Sequence, residues 1–502
     1  MQAPPISTTA SAPREAAVEE RETDRTRDPA AGRRIPWWIW GLAGVLFVSY
    51  AALSVRRHDM LLSHSFDLGI FEQAVRSYAE GHLPVSEVKG PDFPVLGDHF
   101  SPVLALIAPL YLLHPSTDTL LVVHAALIAS SVIPLALWAR RTLGAAPAVV
   151  IGLCYGLSWG IASAVGFDFH EVAFAVPLLA CSLTALANDR LRAAAYWALP
   201  LLLVKEDLGI SVAVIGLLIA RRGDRRLGIV TAVCGVAGTL LAMTVILPAF
   251  NPSGSYGYLI WLDGPGGGDG GLPALLHRLT IGLITPVQKI TTLVLLLAPT
   301  LFLALRSPLL LVAVPTVLWR FASSYELHWG TGYHYSLVLM PIVFAAFVDA
   351  LVRRRSSGGG VRRYLAASAA ITALLLPQFP LWQLVQPATW RSDHRLDVAD
   401  SVMDLIPEGA TVQASTHLVP HLVSRTSVSL YGWADSRPYP EWIMVDTRVP
   451  DHLRWPQSAA EEQFKLRSAV KKGYRTVADR EGFVLLERPS SASGTSLGPE
   501  DS

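Results

Sequence analysis

The chain has 502 residues, 51% of them hydrophobic, a mean hydropathy of +0.39 and a formal net charge of +1. It is too apolar for a soluble enzyme and too long for a single span, which leaves an α-helical polytopic membrane protein. Its arginines fall in short clusters between apolar runs, where they set orientation, and nothing suggests nucleic-acid binding.

Residues 1–34 mix Ala, Pro, Ser, Thr and charge without apolar periodicity and are expected to form a disordered cytoplasmic tail. Arg33 and Arg34 precede the apolar run Pro36–Val55, which is long enough to cross a hydrocarbon layer of about 30 Å. A basic leader before a first span predicts a cytoplasmic N-terminus, with Trp37, Trp38 and Trp40 as an interfacial belt. The outer loop 58–101 follows and concentrates Asp67, Glu72, Gln73, Asp92, Asp98 and His99. Phe66, Ile70, Phe71 and Ala74 recur at helical spacing, predicting an amphipathic helix that holds Asp67 close to the membrane surface. Pro102–Leu113 is too short to span and reads as a re-entrant or interfacial segment.

His124–Ala139 then runs inward to Arg140 and Arg141, and Ala145–Val165 runs outward to the turn GFDFHE, which carries Asp168, His170 and Glu171. Val172–Ala187 returns to Arg190 and Arg192. A hairpin of two short arms reaches the RRGDRR cluster with Lys205, Glu206 and Asp207 near its tip. Three adjacent ionisable residues there are costly unless they meet water, each other or a ligand; the plainer alternative is a polar turn cap. Leu227–Leu247 leads into the long loop Pro248–Pro286, whose run GPGGGDGG lacks phosphate-loop spacing and reads as a flexible connector. Val287–Leu305 and Pro308–Phe321 flank Arg306, and the loop Ser323–Ser336 carries His328, Tyr333, His334 and Tyr335. Leu337–Val352 descends to RRRSSGGGVRR, and Leu365–Leu384 makes the last of about eleven crossings in a membrane domain spanning 35–390.

Residues 391–488 have the composition of a small extracytoplasmic α/β domain. A helix-like DVADSVMDLIP precedes strand-like ATVQAS, TSVSLY and WIMVD, a helix near Ala459–Lys471 and a terminal hairpin. No nucleotide-binding glycine motif is present, and Asp435, Asp446 and His417 read as structural. Residues 489–502 are expected to be disordered. Cys154, Cys181 and Cys234 lie in apolar runs and define no disulfide or metal framework.

One topology puts the polar clusters of five separated segments on the same side of the membrane, which is the bottom-up argument for a site there. Metal ligands are not readable: no compact spacing such as His-Glu-x-x-His occurs, and oxygen ligation of magnesium or manganese would need two of these carboxylates to meet. FDLGIFEQAV, GDHFSPVLALIAPLYLL, GFDFHEVAFAVP, LLLVKEDLGI and YHYSLVLMPIVF together resemble an uncharacterised family of predicted bacterial and archaeal membrane proteins over most of Phe66–Met444. The order of first span, acidic outer loop, half-length segment and second span ending in Arg-Arg also resembles the start of GT-C glycosyltransferases of the protein O-mannosyltransferase and aminoarabinose transferase type. That resemblance implies a GT-C-like fold, a polyprenyl-phosphate sugar donor, an envelope acceptor, and an acidic residue of the first outer loop as base or metal ligand. The match by position is Asp67, although Asp67-Leu68 stands where many of those enzymes have a tandem acidic pair. Glu72, Gln73, His99, Asp168, His170, Glu171, Lys205, Glu206, Asp207, Tyr333, His334 and Tyr335 are the expected substrate contacts. A membrane transporter or flippase would also place ionisable groups at a broken hairpin, but no internal repeat supports it; a non-catalytic scaffold would need none of these residues.

Overall fold

A computed structural model describes residues 35–258, 277, 280–450 and 454–489. The tail 1–34, the glycine run of the long loop and the tail beyond Pro489 lie outside the described residues. The first span is helix α1 (Trp37–Asp59), which buries Ile39, Ala43, Leu46, Tyr50 and Leu53 and turns Trp37, Trp40, Val45 and Val48 outward. A helix with one apolar side packed and another apolar side open is what a lipid-facing element requires.

The helix expected to start at Phe66 starts instead at Ile70, as α2 (Ile70–Ala79). Ser65–Gly69 is a tight irregular turn in which Phe66 is extended and Asp67 sits at φ 70°, ψ −84°. Asp67 is therefore held in a strained turn rather than on a helix face, a conformation that persists only where the surroundings enforce it. The half-length segment Pro102–Leu113 is a short helix that leaves Leu106, Leu110, Leu112 and Leu113 exposed, as an interfacial element would. The second crossing begins at Thr117 rather than His124, because the Ser116 side chain accepts from the Asp118 N–H and caps it there; it runs to Leu143 with a break at Ser131. Ala145–Gly156 and Trp159–Val165 form one span bent by 46°.

Helices α3 (Leu208–Arg221) and α4 (Arg225–Leu241) form the closest-packed pair, with glycines facing glycines. A Cβ on Gly216 would lie 2.5 Å from the Ala232 backbone nitrogen, and one on Gly235 2.4 Å from the Gly209 carbonyl oxygen. Close backbone approach substitutes for a hydrophobic driving force inside lipid. Gly216→Val should therefore cost several kcal/mol, in the range of about 3 or more for a backbone clash, and abolish recovery of monodisperse protein from membranes. Full recovery on size exclusion would show that the helices tolerate separation.

The C-terminal region forms a second layer. Val85–Ser86 (β1) pairs with Phe93–Pro94 (β2) as a short ribbon in the loop after α2. Beyond helix His394–Met403, strands β3 (Thr411–Ala414), β4 (Ser427–Leu430), β5 (Trp442–Asp446), β6 (Arg475–Arg480) and β7 (Phe483–Glu487) form a sheet ordered β4-β3-β5-β7-β6. β3 pairs in parallel with both β4 and β5, and β7 is antiparallel to β5 and β6. Its helix α5 (Val419–Leu422) and the sheet share a core with α2: Phe71, Ala74 and Val75 pack with Val412, Val419, Leu422 and Val428. The sheet region is docked on the membrane-side loop through one continuous apolar interior.

Candidate functional site

At one end of the bundle a cavity of about 260 Å³ opens beside Asp67. Helix Leu339–Ser356 starts next to it and runs away toward Arg353–Arg355, so cavity and arginine cluster occupy opposite ends. Four stretches that the sequence separates converge here. Asp67 comes from the strained turn, His99 from the end of the same loop, His170 from the turn before the helical segment Glu171–Ala187, and Lys205–Asp207 from the tip of the short-armed hairpin. His334 and Tyr335 enter from the loop that follows Val314–Ala322.

The side chains form a run of close contacts. The Asp67 carboxylate lies 3.7 Å from His334 Nδ1. The His334 ring stacks on His170 with centroids 3.3 Å apart. His170 Nδ1 stands 2.7 Å from Glu171, whose other oxygen accepts from Lys205 Nζ at 3.1 Å. On the facing wall Glu206 contacts the His99 ring at 2.9 Å, accepts from the Phe100 N–H at 3.1 Å and accepts from the Tyr256 hydroxyl at 3.1 Å. Asp168 does not line the cavity but accepts from the His64 N–H at 3.1 Å, which fixes the start of the Asp67 turn.

Burial and charge split the carboxyl groups into two kinds. Burial, reinforced by the nearby charges of Glu171 and Asp168, pushes Asp67 up to about 7. Burial likewise raises Asp207 to about 6. For Glu206 the burial penalty is overcome by His99 and Lys205, which hold it down at about 2. Burial on its own would lower Lys205, but Glu171, Glu206 and Asp207 outweigh it and keep the ammonium charged. Burial depresses both His170 and His334, so the stacked pair is neutral. One carboxyl poised near neutrality, one fixed anion and one fixed cation around a cavity is an arrangement suited to proton transfer beside a charged group.

Besides Asp168, Glu171 also stands outside the cavity lining, behind His170 and Lys205, and three further expected contacts lie elsewhere. Glu72 is buried behind α2, hydrogen-bonded to Tyr111 and Thr117. Gln73 donates to the Val428 carbonyl and accepts from Ser86 Oγ and the Val88 N–H, so it joins the loop to the sheet. Neither lines the cavity, because the helix begins after Asp67 rather than around it and turns both toward these partners. Tyr333 packs edge-on against Phe167 beside the site without lining it. Conversely, Tyr256, Tyr258, Trp319 and His328 line the cavity and were not singled out as contacts. Arg320 went unnoticed as well. It is 1% exposed and donates only to neutral acceptors, the carbonyls of His328, Gly330 and Tyr335 and the Ser336 hydroxyl, tying down the loop that carries His334. Its signal was available, as a lone arginine inside the apolar run Pro308–Phe321.

Asp67, His170 and His334 each offer one donor atom, and the three atoms lie within 4.8 Å of one another. His334 Nδ1 is buried with no hydrogen-bond partner among the described residues. An orphaned imidazole nitrogen beside a carboxylate fits a divalent cation, and two imidazoles favour manganese or zinc over magnesium.

No curated protein matches the chain. Among solved structures it resembles ArnT from Cupriavidus metallidurans bound to undecaprenyl phosphate, at 15% identity and a TM-score of 0.57, over 91% of this chain and 99% of that one. The apo form of the same protein gives a TM-score of 0.52 at 15% identity, over 90% and 99% of the two chains. The likeness establishes the fold: a polytopic helical membrane protein of GT-C-like architecture with a small C-terminal sheet region. A family model described as predicted membrane protein, DUF2079, matches residues 57–485, and the chain belongs to that family.

Proposed function

We propose that this protein is a glycosyltransferase that moves a sugar from a polyprenyl-phosphate donor to a hydroxyl of an envelope acceptor, with the cavity on the outer face of the cytoplasmic membrane. The carrying observation is Asp67, an acidic side chain raised to about 7 and opening on a cavity that the charged Lys205 also lines. The ArnT structure with undecaprenyl phosphate supports a polyprenyl-phosphate partner for the same architecture.

In this reading the ionised Asp67 accepts the proton of the acceptor hydroxyl as its oxygen attacks the anomeric carbon. The bond from that carbon to the phosphate oxygen breaks, and the electron pair leaves with the polyprenyl phosphate. Lys205 and His99 face the charge that develops there, which a phosphate leaving group needs more than it needs an acid. Inversion at the sugar carbon follows from the single displacement. Tyr256 and Tyr258 offer hydroxyls to the sugar, and Met243 and Trp319 give the cavity an apolar wall fit for the first isoprene units. Were Asp67 instead to join His170 and His334 as a ligand to a divalent cation, the cation would supply Lewis-acid stabilisation of the phosphate and Asp67 would not act as the base.

The test is mass spectrometry of polyprenyl-phosphate sugars and envelope glycans in a deletion strain complemented with wild type or Asp67→Asn. The expected result is that wild type restores a missing glycan while the variant, present in the membrane at equal level, leaves its donor accumulating. Unchanged lipid-linked sugar and glycan pools on deletion would overturn the reading in favour of transport or scaffolding.

A further inference from the structure

We infer that Glu72 is an uncharged carboxylic acid that fastens the C-terminal sheet region to the loop carrying Asp67, and that this docking tightens in acid and slackens as Glu72 ionises. The inference goes beyond the transfer reaction and holds whether or not Asp67 is a base.

Proton counting gives the direction of the bonds. Thr117 Oγ1 lies 2.6 Å from Glu72 Oε2 and 2.7 Å from the Pro420 carbonyl oxygen, and Glu72 Oε1 lies 3.0 Å from the Tyr111 hydroxyl. A threonine hydroxyl has one proton to give. With Glu72 ionised, Thr117 can serve the carboxylate or the carbonyl, and the other contact becomes two oxygens with no hydrogen between them. With Glu72 protonated, every contact has its hydrogen: Glu72 donates to Thr117, Thr117 donates to the Pro420 carbonyl, and Tyr111 donates to the remaining carboxyl oxygen. Only the acid form satisfies all three contacts at once. Burial acts in the same direction. Glu72 is 0% exposed, and burial, its largest influence, outweighs its hydrogen bonds and Arg76 and lifts it from an ordinary 4.5 to about 7.

Four parts of the chain meet here. Glu72 belongs to α2, Tyr111 to the interfacial helix Pro102–Leu113, Thr117 opens the second crossing and Pro420 lies in α5. The same C-terminal stretch grips the Asp67 turn directly: Thr416 Oγ1 is 2.8 Å from Ser65 Oγ, and a Cβ on Gly69 would lie 3.2 Å from Val419 Cγ1. The charged and titratable groups around the carboxyl are Arg76 on α2, Tyr111 on the interfacial helix and Asp118 on the second crossing. On the C-terminal side His421 follows Pro420, is held neutral by burial and stacks on His58 of α1.

A carboxyl raised by folding stabilises the docked state fully below 4.5, and that contribution is lost as pH rises through about 7. Phe71, Ala74 and Val75 pack against Val419 and Leu422 without titrating, so the layers stay together and the quantity that changes is how often they open.

The experiment is hydrogen exchange read by mass spectrometry on the full chain in nanodiscs, without sugar, at peptides covering 416–428. Corrected for intrinsic exchange, opening of wild type should increase roughly 10–100-fold between about pH 5 and about pH 8. Glu72→Gln carries a permanent donor for Thr117 and an acceptor for Tyr111, so it should match wild type at about pH 5 and lose most of the increase. Asp118 and His421 are common to both proteins and cancel in the comparison. Thr117→Val, which breaks the link to Pro420, should open roughly five- to tenfold more than wild type at about pH 5, the effect of one hydrogen bond. Infrared difference spectra of wild type against Glu72→Gln should show the C=O stretch of a protonated carboxyl in acid that fades as pH rises. The inference is overturned if wild-type opening is the same at both pH values, if Glu72→Gln increases as steeply as wild type, if Thr117→Val matches wild type in acid, or if the infrared band is absent. The wild-type profile and Thr117→Val decide the matter even where Glu72→Gln does not insert. Because no arm measures transfer, the outcome is separable from that of the proposed reaction.

Discussion

Asp67→Asn should lower sugar transfer by about 10²–10⁴-fold, the usual contribution of a positioned general base, without loss of fold. The amide keeps the shape of the carboxylate but cannot accept a proton. It also tolerates the positive φ of 70° at this position, which most other residues would resist. Among the described residues its ionic partner, His334 Nδ1, is at 3.7 Å, beyond hydrogen-bond range, so the substitution breaks no side-chain hydrogen bond there. Removing a buried acid beside Glu171 and Asp168 should leave the melting temperature equal or slightly higher. The wild-type rate should rise with pH through about 7, because burial raises Asp67 there and only its ionised form is a base. Transfer at pH 6 should then be about tenfold below its plateau above pH 8. A flat profile across this range, or a variant as active as wild type in single-turnover assays, would remove Asp67 from the role of base.

The second large effect is expected at Lys205. Lys205→Met leaves Glu171 buried beside His170 without its ammonium partner and takes away a cation that also holds Glu206 and Asp207. Breaking a buried pair from one side costs about 3–5 kcal/mol, so the variant should melt well below wild type. Lys205 also lowers Asp67, so its loss should move the acid limb of the pH profile to higher pH and depress the plateau. The double variant Lys205→Met/Glu171→Gln removes both charges and should regain much of the stability, though not the rate, because the phosphate loses its facing cation. Equal rates for the double variant and wild type would show that Lys205 serves the fold alone. Thermal melts and pH–rate curves on the same preparations separate the two contributions.

Much of the site was legible because charge is conspicuous in an apolar chain. Lys205, Glu206 and Asp207 interrupt a hydrophobic hairpin, and Asp168, His170 and Glu171 sit between two spans, so their convergence follows from connecting spans of known length. Among the described residues three of the runs read as crossings are helices long and apolar enough to span and a fourth is so as a bent pair, whereas others, such as Leu208–Arg221 and Val287–Thr300, are shorter; the ends move with local capping that hydropathy ignores, as Ser116 does for Thr117–Leu143. What hydropathy could not convey was the partner of each polar group. Glu72 and Gln73 had the same credentials as Asp67, but Gln73 is consumed by Val428, 355 positions away, and Glu72 by Tyr111 and Thr117. The parallel order of β3, β4 and β5 was equally hidden, because strand pairing is set by tertiary packing and not by the alternation within each strand. The helical spacing of Phe66 with Ile70 and Phe71 misled for a related reason. Phe66 is satisfied by Trp433 and Trp455 of the sheet region rather than by its own helix.

The Asp67 turn is fastened by residues made long after it: Ser65 meets Thr416 across 351 positions, and Arg76 donates to the Val423 and Thr426 carbonyls across 347 and 350. At ordinary translation rates that interval lasts roughly 20–70 s, during which the membrane helices can insert while the loop has nothing to close upon. Newly made chains should therefore pass through a membrane-inserted but inert stage, and any product truncated before Thr416 should stay in it. The later-made segment acts as the key that arms the earlier one, so under the proposed function a chain cut before Thr416 should leave its donor untouched.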